Sequence, residues 1–292
     1  MGKIVEPEFD PAMFDIRHTF DAYLDAKASV FEPTKAAKGF RASSLGYCLR
    51  RQFLERAGVP KPGATGSRTL FLGDIIHGGV QRAFTNMGLM LGEETAFEDE
   101  ALQITGHVDM IWGGKIQPHQ LDEGGNSPQW IRFNDFVREL LVAKFGTDTF
   151  PIVGAELKSA HQYSAEKAMR EGPQFHHQMQ AGMYDWFAEN HPEQLPVGVE
   201  KVEKWQIVMI AKSDLKMPVF DVSPTMKRQA FERITELREY WEDKAMPACT
   251  CGVTISWEQK YCPYAYGNGC CDDSLIEDAP DSFWEEVDAV DA

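Results

Sequence analysis

The 292-residue chain has no run of eighteen apolar residues, which leaves no candidate for a membrane-spanning helix. Its opening, MGKIVEPEFDPAMFD, lacks the basic start and the apolar stretch of a secretory signal. A cytoplasmic setting, where thiols stay reduced, is therefore expected. Cysteine is almost missing from the first 248 residues, where Cys48 stands alone. The other five, Cys249, Cys251, Cys262, Cys270 and Cys271, fall within 23 residues. In a reducing compartment that clustering argues for a metal or iron–sulfur centre and against disulfides. Basic residues are absent from 272–292, DDSLIEDAPDSFWEEVDAVDA, whose nine acidic residues supply more than half of the net charge of −16. This tail reads as a disordered, solubilising end. A second reading is a DNA mimic that docks on a basic surface or on a recombination partner. No internal repeat is visible.

A composition 43% hydrophobic and 11% aromatic suits a packed soluble core. The net negative charge argues, on average, against nucleic acid, because phosphate binding needs Lys and Arg. The average hides an asymmetry: residues 35–82 carry Lys35, Lys38, Arg41, Arg50, Arg51, Arg56, Lys61, Arg68 and Arg82 against only Glu55 and Asp74. Local fields govern binding, so this stretch outweighs the total; the plainer reading is a solvated helix face.

Hydrophobic spacing predicts an amphipathic helix over 11–31, with Phe14, Phe20, Leu24 and Val30 among its apolar positions. A helix capped by Ser43 or Ser44 and running to about Ala57 follows, and GVPKPGATGSR then reads as a loop. Further helices are expected over 69–88, 133–145, 164–171, 173–190 and 224–244. Strands are expected at LQITGHVDMIWGG, IVGAELKSA, EKWQIVMIAKS and MPVFDVS, with a loop or hairpin tip at 114–129. Strands set between helices imply an α/β core with a mixed sheet flanked by helices. The expected organisation is an N-terminal helical segment (1–34), one domain (35–271) and the tail (272–292).

Four polar signals interrupt these apolar patterns. His77 sits in GDIIHGGVQ, and Asp109 in the strand GHVDMIW. Glu156 and Lys158 stand two apart in IVGAELKSA, so they share a strand face with Leu157 opposite. Gln180 and Tyr184, in HHQMQAGMYDW, share a helix face at i, i+4. Singly, each fits an ordinary structural role. Together, an imidazole and two carboxylates around one point suit Mg²⁺ or Mn²⁺. A lysine beside such an ion can orient or deprotonate water, or stabilise charge on a phosphate, as phosphodiester hydrolysis requires.

The pattern resembles the PD-(D/E)xK nuclease superfamily in its RecB-like branch, which includes CRISPR-adaptation, AddB-type and phage exonucleases. The family's helical His is matched by His77, its G-x-x-D strand by Gly106 to Asp109, and its (D/E)-x-K by Glu156-Leu157-Lys158. Its Q-x-x-x-Y helix is matched by Gln180 to Tyr184, with His177 opening an H-x-x-Q. The resemblance implies a restriction-endonuclease-like fold, with metal held by His77, Asp109, Glu156 and the Leu157 carbonyl. It makes Lys158, Glu156 and Asp109 the catalytic set, and lets Gln180 and Tyr184 line the active site or contact DNA. Most relatives have a short hairpin where Glu156 here follows Asp109 by 47 positions, so 113–150 reads as an insertion. The iron–sulfur subgroup places one cysteine before the core and three after it. That implies a [4Fe–4S] cluster on Cys48, Cys249, Cys262 and Cys270, with Cys251 and Cys271 as alternates. Zn²⁺ is the other metal that four thiolates suit.

The resemblance implies a Mg²⁺- or Mn²⁺-dependent DNA exonuclease acting on single-stranded ends in recombination or repair, with phages among its expected sources. Arg50, Arg51 and Arg56 are candidate phosphate contacts. The alternatives are a catalytically idle DNA-binding protein with the nuclease fold and an adaptor in a recombination complex.

Overall fold

The computed structural model describes residues 39–59, 67–117, 128–250, 262–266 and 270–271. Six strands form one mixed sheet: β1 (Phe40–Arg41), β2 (Met90–Asp99), β3 (Ile104–Lys115), β4 (Thr149–Ala160), β5 (Lys204–Ala211) and β6 (Val219–Asp221). Around it lie α1 (Leu49–Arg56), α2 (Ser67–Met87), α3 (Pro128–Phe145), α4 (Gln162–Glu171), α5 (Phe175–Asn190) and α6 (Pro224–Glu242). A separate two-stranded ribbon pairs β7 (Ala265–Tyr266) with β8 (Cys270–Cys271). The α/β class read from the alternating patterns is the one observed. Among the described residues no helix is long and apolar enough to cross a membrane.

The sheet runs β1-β3-β4-β5-β6, with β2 antiparallel along the other edge of β3. On their shared edge of β3, β1 pairs in parallel with Ile104 and Thr105, while β4 pairs antiparallel from Met110 onward. Between them, Gly106 to Asp109 have no strand partner on that edge. The last β3–β4 pair is Met110 with Ala155; beyond it β4 carries Glu156, Leu157 and Lys158 alongside β5, paired with Ile207, Val208 and Met209. The strands therefore part where the sequence places its polar residues.

The period-2 alternation of β4 and β5 sorts the two faces. Ala155, Leu157, Val208 and Ile210 pack with Met110 against Ile76, Val80 and Phe84 of α2. On the opposite face, Ile207 and Met209 meet Ala168 of α4 and Ala181 of α5. The main core joins α5 (Met179, Met183, Tyr184, Phe187) and α6 (Ala230, Ile234, Leu237, Trp241) to Val108, Ile111 and Trp205. Local signals set the helix ends. His161 caps α4 by accepting the Tyr163 N–H, and Gly172, at φ +83°, ends it in the left-handed region. Pro224 opens α6, where a missing N–H costs nothing.

Three readings are corrected. Ser43 and Ser44 do not cap a long helix: they lie in a 3₁₀ turn, Cys48 occupies the N-cap position, and Ser44 donates instead to Glu55, at 2.8 Å. Strand β2 had not been expected, because Gly92 and the acidic residues of LGEETAFEDE dilute its alternation. Arg56 does not face phosphate: it is buried between the Phe40 and Trp241 rings and donates to Gln103 Oε1 at 2.6 Å. The segment 113–150, read above as an insertion, contains α3. The predicted 11–31 helix and the acidic tail lie outside the described residues.

Candidate active site

The carboxylate of Asp109 fills the space where β3 and β4 separate. Its Oδ2 accepts the Leu157 N–H at 2.5 Å, taking the place a ladder carbonyl would hold. Its Oδ1 lies 3.7 Å from Nδ1 of His77, which α2 brings over the sheet. On β4, Lys158 Nζ donates to Glu156 Oε1 at 2.6 Å, so the two side chains share a face as their spacing requires. Thus His77 lies beside Asp109, and Lys158 beside Glu156, on adjoining strands. Leu157 contributes its amide to this arrangement.

Glu156 is braced from α5. Gln180 Nε2 donates to Glu156 Oε1 at 2.7 Å and to the Tyr184 hydroxyl at 2.9 Å. The Tyr184 hydroxyl in turn donates to the His107 carbonyl at 2.7 Å, tying α5 to β3. Gln180 and Tyr184 are 4% and 1% exposed. They stand inside the molecule and reach any substrate only through Glu156. Gly106 belongs to the same joint, since a Cβ there would lie 2.7 Å from the Tyr184 ring and 3.0 Å from Ala42 Cβ.

The electrostatics are unusual for a strand carboxylate. The Glu156 side chain is 3% exposed. Burial pushes its carboxyl up to about 8, with Asp109 and Glu94 adding to the rise and Lys158 opposing it. Burial pulls the Lys158 ammonium down, but Glu156 and Asp109 outweigh that, and it holds its proton more tightly than usual. Glu156 Oε2 and His77 Nε2 are buried without a hydrogen-bond partner. Such a group costs roughly 1–3 kcal/mol unless something satisfies it.

A second layer lies beside Lys158. The guanidinium of Arg51 sits 3.8 Å from the Tyr47 ring centroid, and Tyr47 stacks on His176 at 4.6 Å. Arg51 also pairs with Glu55 at 3.0 Å, so its charge is already engaged. Arg50 is half-buried on the same helix. Burial, with Lys158 and Arg51 adding to it, lowers His176 to about 4; burial, His176 and Lys158 lower His177 to about 2. Both imidazoles are neutral at physiological pH. Sequence reading passed over Tyr47, His176 and Gln81, whose side chains look ordinary alone. The i, i+4 spacing of His77 and Gln81 was the available signal.

The cysteines form a second focus. Cys48 and Cys262 are buried and pack with Leu54, Tyr264 and half-buried Cys249, and the Thr250 N–H lies 3.5 Å from Cys48 Sγ. The Tyr264 hydroxyl donates to the Val59 carbonyl at 3.0 Å and closes the cluster. Cys270 and Cys271 lie in β8, paired with Tyr266 and Ala265. Cys251 is outside the described residues.

Among the described residues no group of three or more His, Cys, Asp or Glu side chains stands ready to hold a metal ion. At the sheet, Lys158 and Gln180 both engage Glu156 Oε1 and the Leu157 N–H engages Asp109 Oδ2, so cation binding there requires rearrangement of these contacts. The donor types nonetheless fit a hard divalent cation, and Glu156 Oε2 and His77 Nε2 are two buried acceptors that such an ion would satisfy.

No family model matches the chain, and no curated protein matches it. Among solved structures, the crystal structure of SSO0001 is similar over 86% of this chain and 96% of that chain, with a TM-score of 0.46 and 17% identity. A likeness of that size carries no argument about activity.

Proposed function

We propose that the chain is a metal-dependent deoxyribonuclease with a restriction-endonuclease-like core, acting on DNA ends, with single-stranded ends as the preferred substrate. One observation carries this reading. Asp109 binds the Leu157 amide where β3 and β4 part, next in chain to Glu156, which is bonded to Lys158 and keeps one buried oxygen without a partner. His77, Asp109, Glu156 and the Leu157 carbonyl would hold Mg²⁺ or Mn²⁺. When bound, such a cation supplies an acidified water and neutralises charge on the scissile phosphate.

The chain's own residues then have distinct tasks. Asp109 is oriented by the Leu157 amide. Glu156 is held by Gln180, which Tyr184 steadies through the His107 carbonyl. Lys158 is bonded to Glu156 and a quarter exposed, which lets it donate to the phosphate or orient the attacking water. Cys48, Cys249, Cys262 and Cys270 are the proposed ligands of a [4Fe–4S] cluster, with Zn²⁺ as the alternative. Recombination or repair is the context this activity fits.

The test is digestion of end-labelled single- and double-stranded DNA with Mn²⁺, Mg²⁺ or chelator. We expect cleavage from ends with either cation, faster on single strands, and none with chelator. Lys158→Ala should lower the rate by roughly 10²–10³-fold, the scale of losing one charge-stabilising donor, while DNA binding persists. Binding without cleavage by the unaltered protein under every cation would instead identify an idle nuclease-fold protein or adaptor.

A further inference from the structure

One residue of β2 breaks the regularity of its strand. Glu94 has φ +48°, in the left-handed region that favours glycine, although it lies inside a ten-residue strand. Its neighbours keep one unbroken register, Glu93 with Met110 and Thr95 with Val108, which sets Glu94 across from Asp109. A strained backbone persists where the surroundings enforce it.

The surroundings here are Gln81. It lies one helical turn after His77 on α2 and is 3% exposed. Its Nε2 donates to Glu94 Oε1 at 3.0 Å and to the backbone carbonyl of Asp109 at 2.7 Å. A single amide group thus ties the helix that carries His77 to the strand that carries Asp109, and a carboxylate on a third element fixes the amide. The charge of Glu94 is also felt at Glu156. Nothing in the packing of α2 requires such a link, because Ile76, Val80 and Phe84 already seat the helix on the sheet.

We infer that Gln81, anchored by the strained Glu94, is a positioning residue that sets His77 against Asp109 for divalent-cation binding. The inference rests on the nuclease reading for the identity of the site. Neither residue touches the reacting atoms. Gln81 fixes the backbone of one ligand relative to the helix of another, and Glu94 fixes the rotamer of Gln81. Such outer partners typically contribute 10–100-fold to metal affinity.

The experiment measures Mn²⁺ binding to the full-length protein by electron paramagnetic resonance of the free ion, without DNA. The relevant component is the one lost in Asp109→Asn. Gln81→Met keeps length and packing but cannot donate, and should weaken that component roughly 10–100-fold. Glu94→Gly removes the anchor while relieving the backbone, so thermal stability should hold or rise as Mn²⁺ affinity falls. Glu94→Gln keeps an acceptor for Gln81 and should bind Mn²⁺ close to the unaltered protein. Unchanged Mn²⁺ affinity in both Gln81→Met and Glu94→Gly would overturn the inference and leave the cation site standing. A loss of affinity matched by a loss of thermal stability in both variants would also overturn it, by reducing the pair to a structural strut. If the unaltered protein takes up no Mn²⁺ at Asp109, the nuclease reading fails and this inference fails with it.

Discussion

Glu156 shows how one side chain connects burial to chemistry. A carboxyl raised from its ordinary 4.5 to about 8 is a group that the folded chain prefers to keep protonated. The folded state then binds more protons than the unfolded state between those values. Its contribution to stability is fully present below about 4.5 and is lost as pH rises through about 8. At about 1.4 kcal/mol per pH unit the loss amounts to a few kcal/mol in the metal-free protein. We therefore expect the unfolding midpoint of chelator-treated protein to fall between about pH 6 and pH 8.5, a range above the isoelectric point near 4.9. Glu156→Gln should flatten that slope, and added Mn²⁺ should flatten it as well, because a cation favours the carboxylate. Parallel pH profiles for the unaltered protein and Glu156→Gln would show that Lys158 alone compensates the buried charge. The sequence revealed that Glu156 and Lys158 share a face, because strand periodicity is local. It could not reveal which oxygen lacks a partner, because that depends on Gln180, 24 residues away.

At the scale of elements, long strongly patterned segments were legible and short or diluted ones were not. The helix expected over 69–88 is α2, Ser67–Met87, and the strand containing IVGAELKSA is β4, Thr149–Ala160. By contrast, β1 is two residues long and β2 is interrupted by Gly92 and the irregular Glu94, so neither announces itself by periodicity. Arg56 was read from its charge as a phosphate contact; burial between Phe40 and Trp241 is a tertiary outcome that no local pattern encodes. Gly106 lies between these cases. Its motif position was visible, but its physical reason is the approach of α5 to β3, with Tyr184 occupying the volume a Cβ would need. That ring is fully buried and hydrogen-bonded at its tip, so it cannot swing away cheaply. Gly106→Ala should thus destabilise the protein by roughly 1–3 kcal/mol, the usual scale of overpacking, as read from a urea midpoint. It should also impair cleavage more than that loss explains, because displacing Tyr184 releases Gln180 from Glu156. A variant with unaltered midpoint and activity would mean that α5 stands off β3 more loosely than this joint requires.

Over the whole molecule, the cysteines join segments far apart in the chain. Cys48 opens α1, whereas Cys249 and Cys262 follow α6, and the Cys48–Thr250 contact spans 202 positions. Clustering of the late cysteines was plain in the sequence, but their approach to Cys48 depends on α1 meeting α6, for example through Phe53 and Trp241 at 5.0 Å. A metal centre across these thiols would close a very long loop, and by analogy with a covalent cross-link of about 100 residues or more its contribution approaches 4–5 kcal/mol. The apolar contacts of Leu54 and Tyr264 already hold the two ends together, so part of that closure is present without metal. Cys48→Ala should accordingly abolish iron and acid-labile sulfide and lower the unfolding midpoint, while the α/β core keeps its far-ultraviolet circular dichroism. Leu54→Ala, which loosens the same joint without removing a thiol, should lower the midpoint and retain the metal. Iron retained at full stoichiometry in Cys48→Ala would remove Cys48 from the ligand set, and zinc as the sole metal in anaerobically purified protein would replace the iron–sulfur assignment with a structural zinc site.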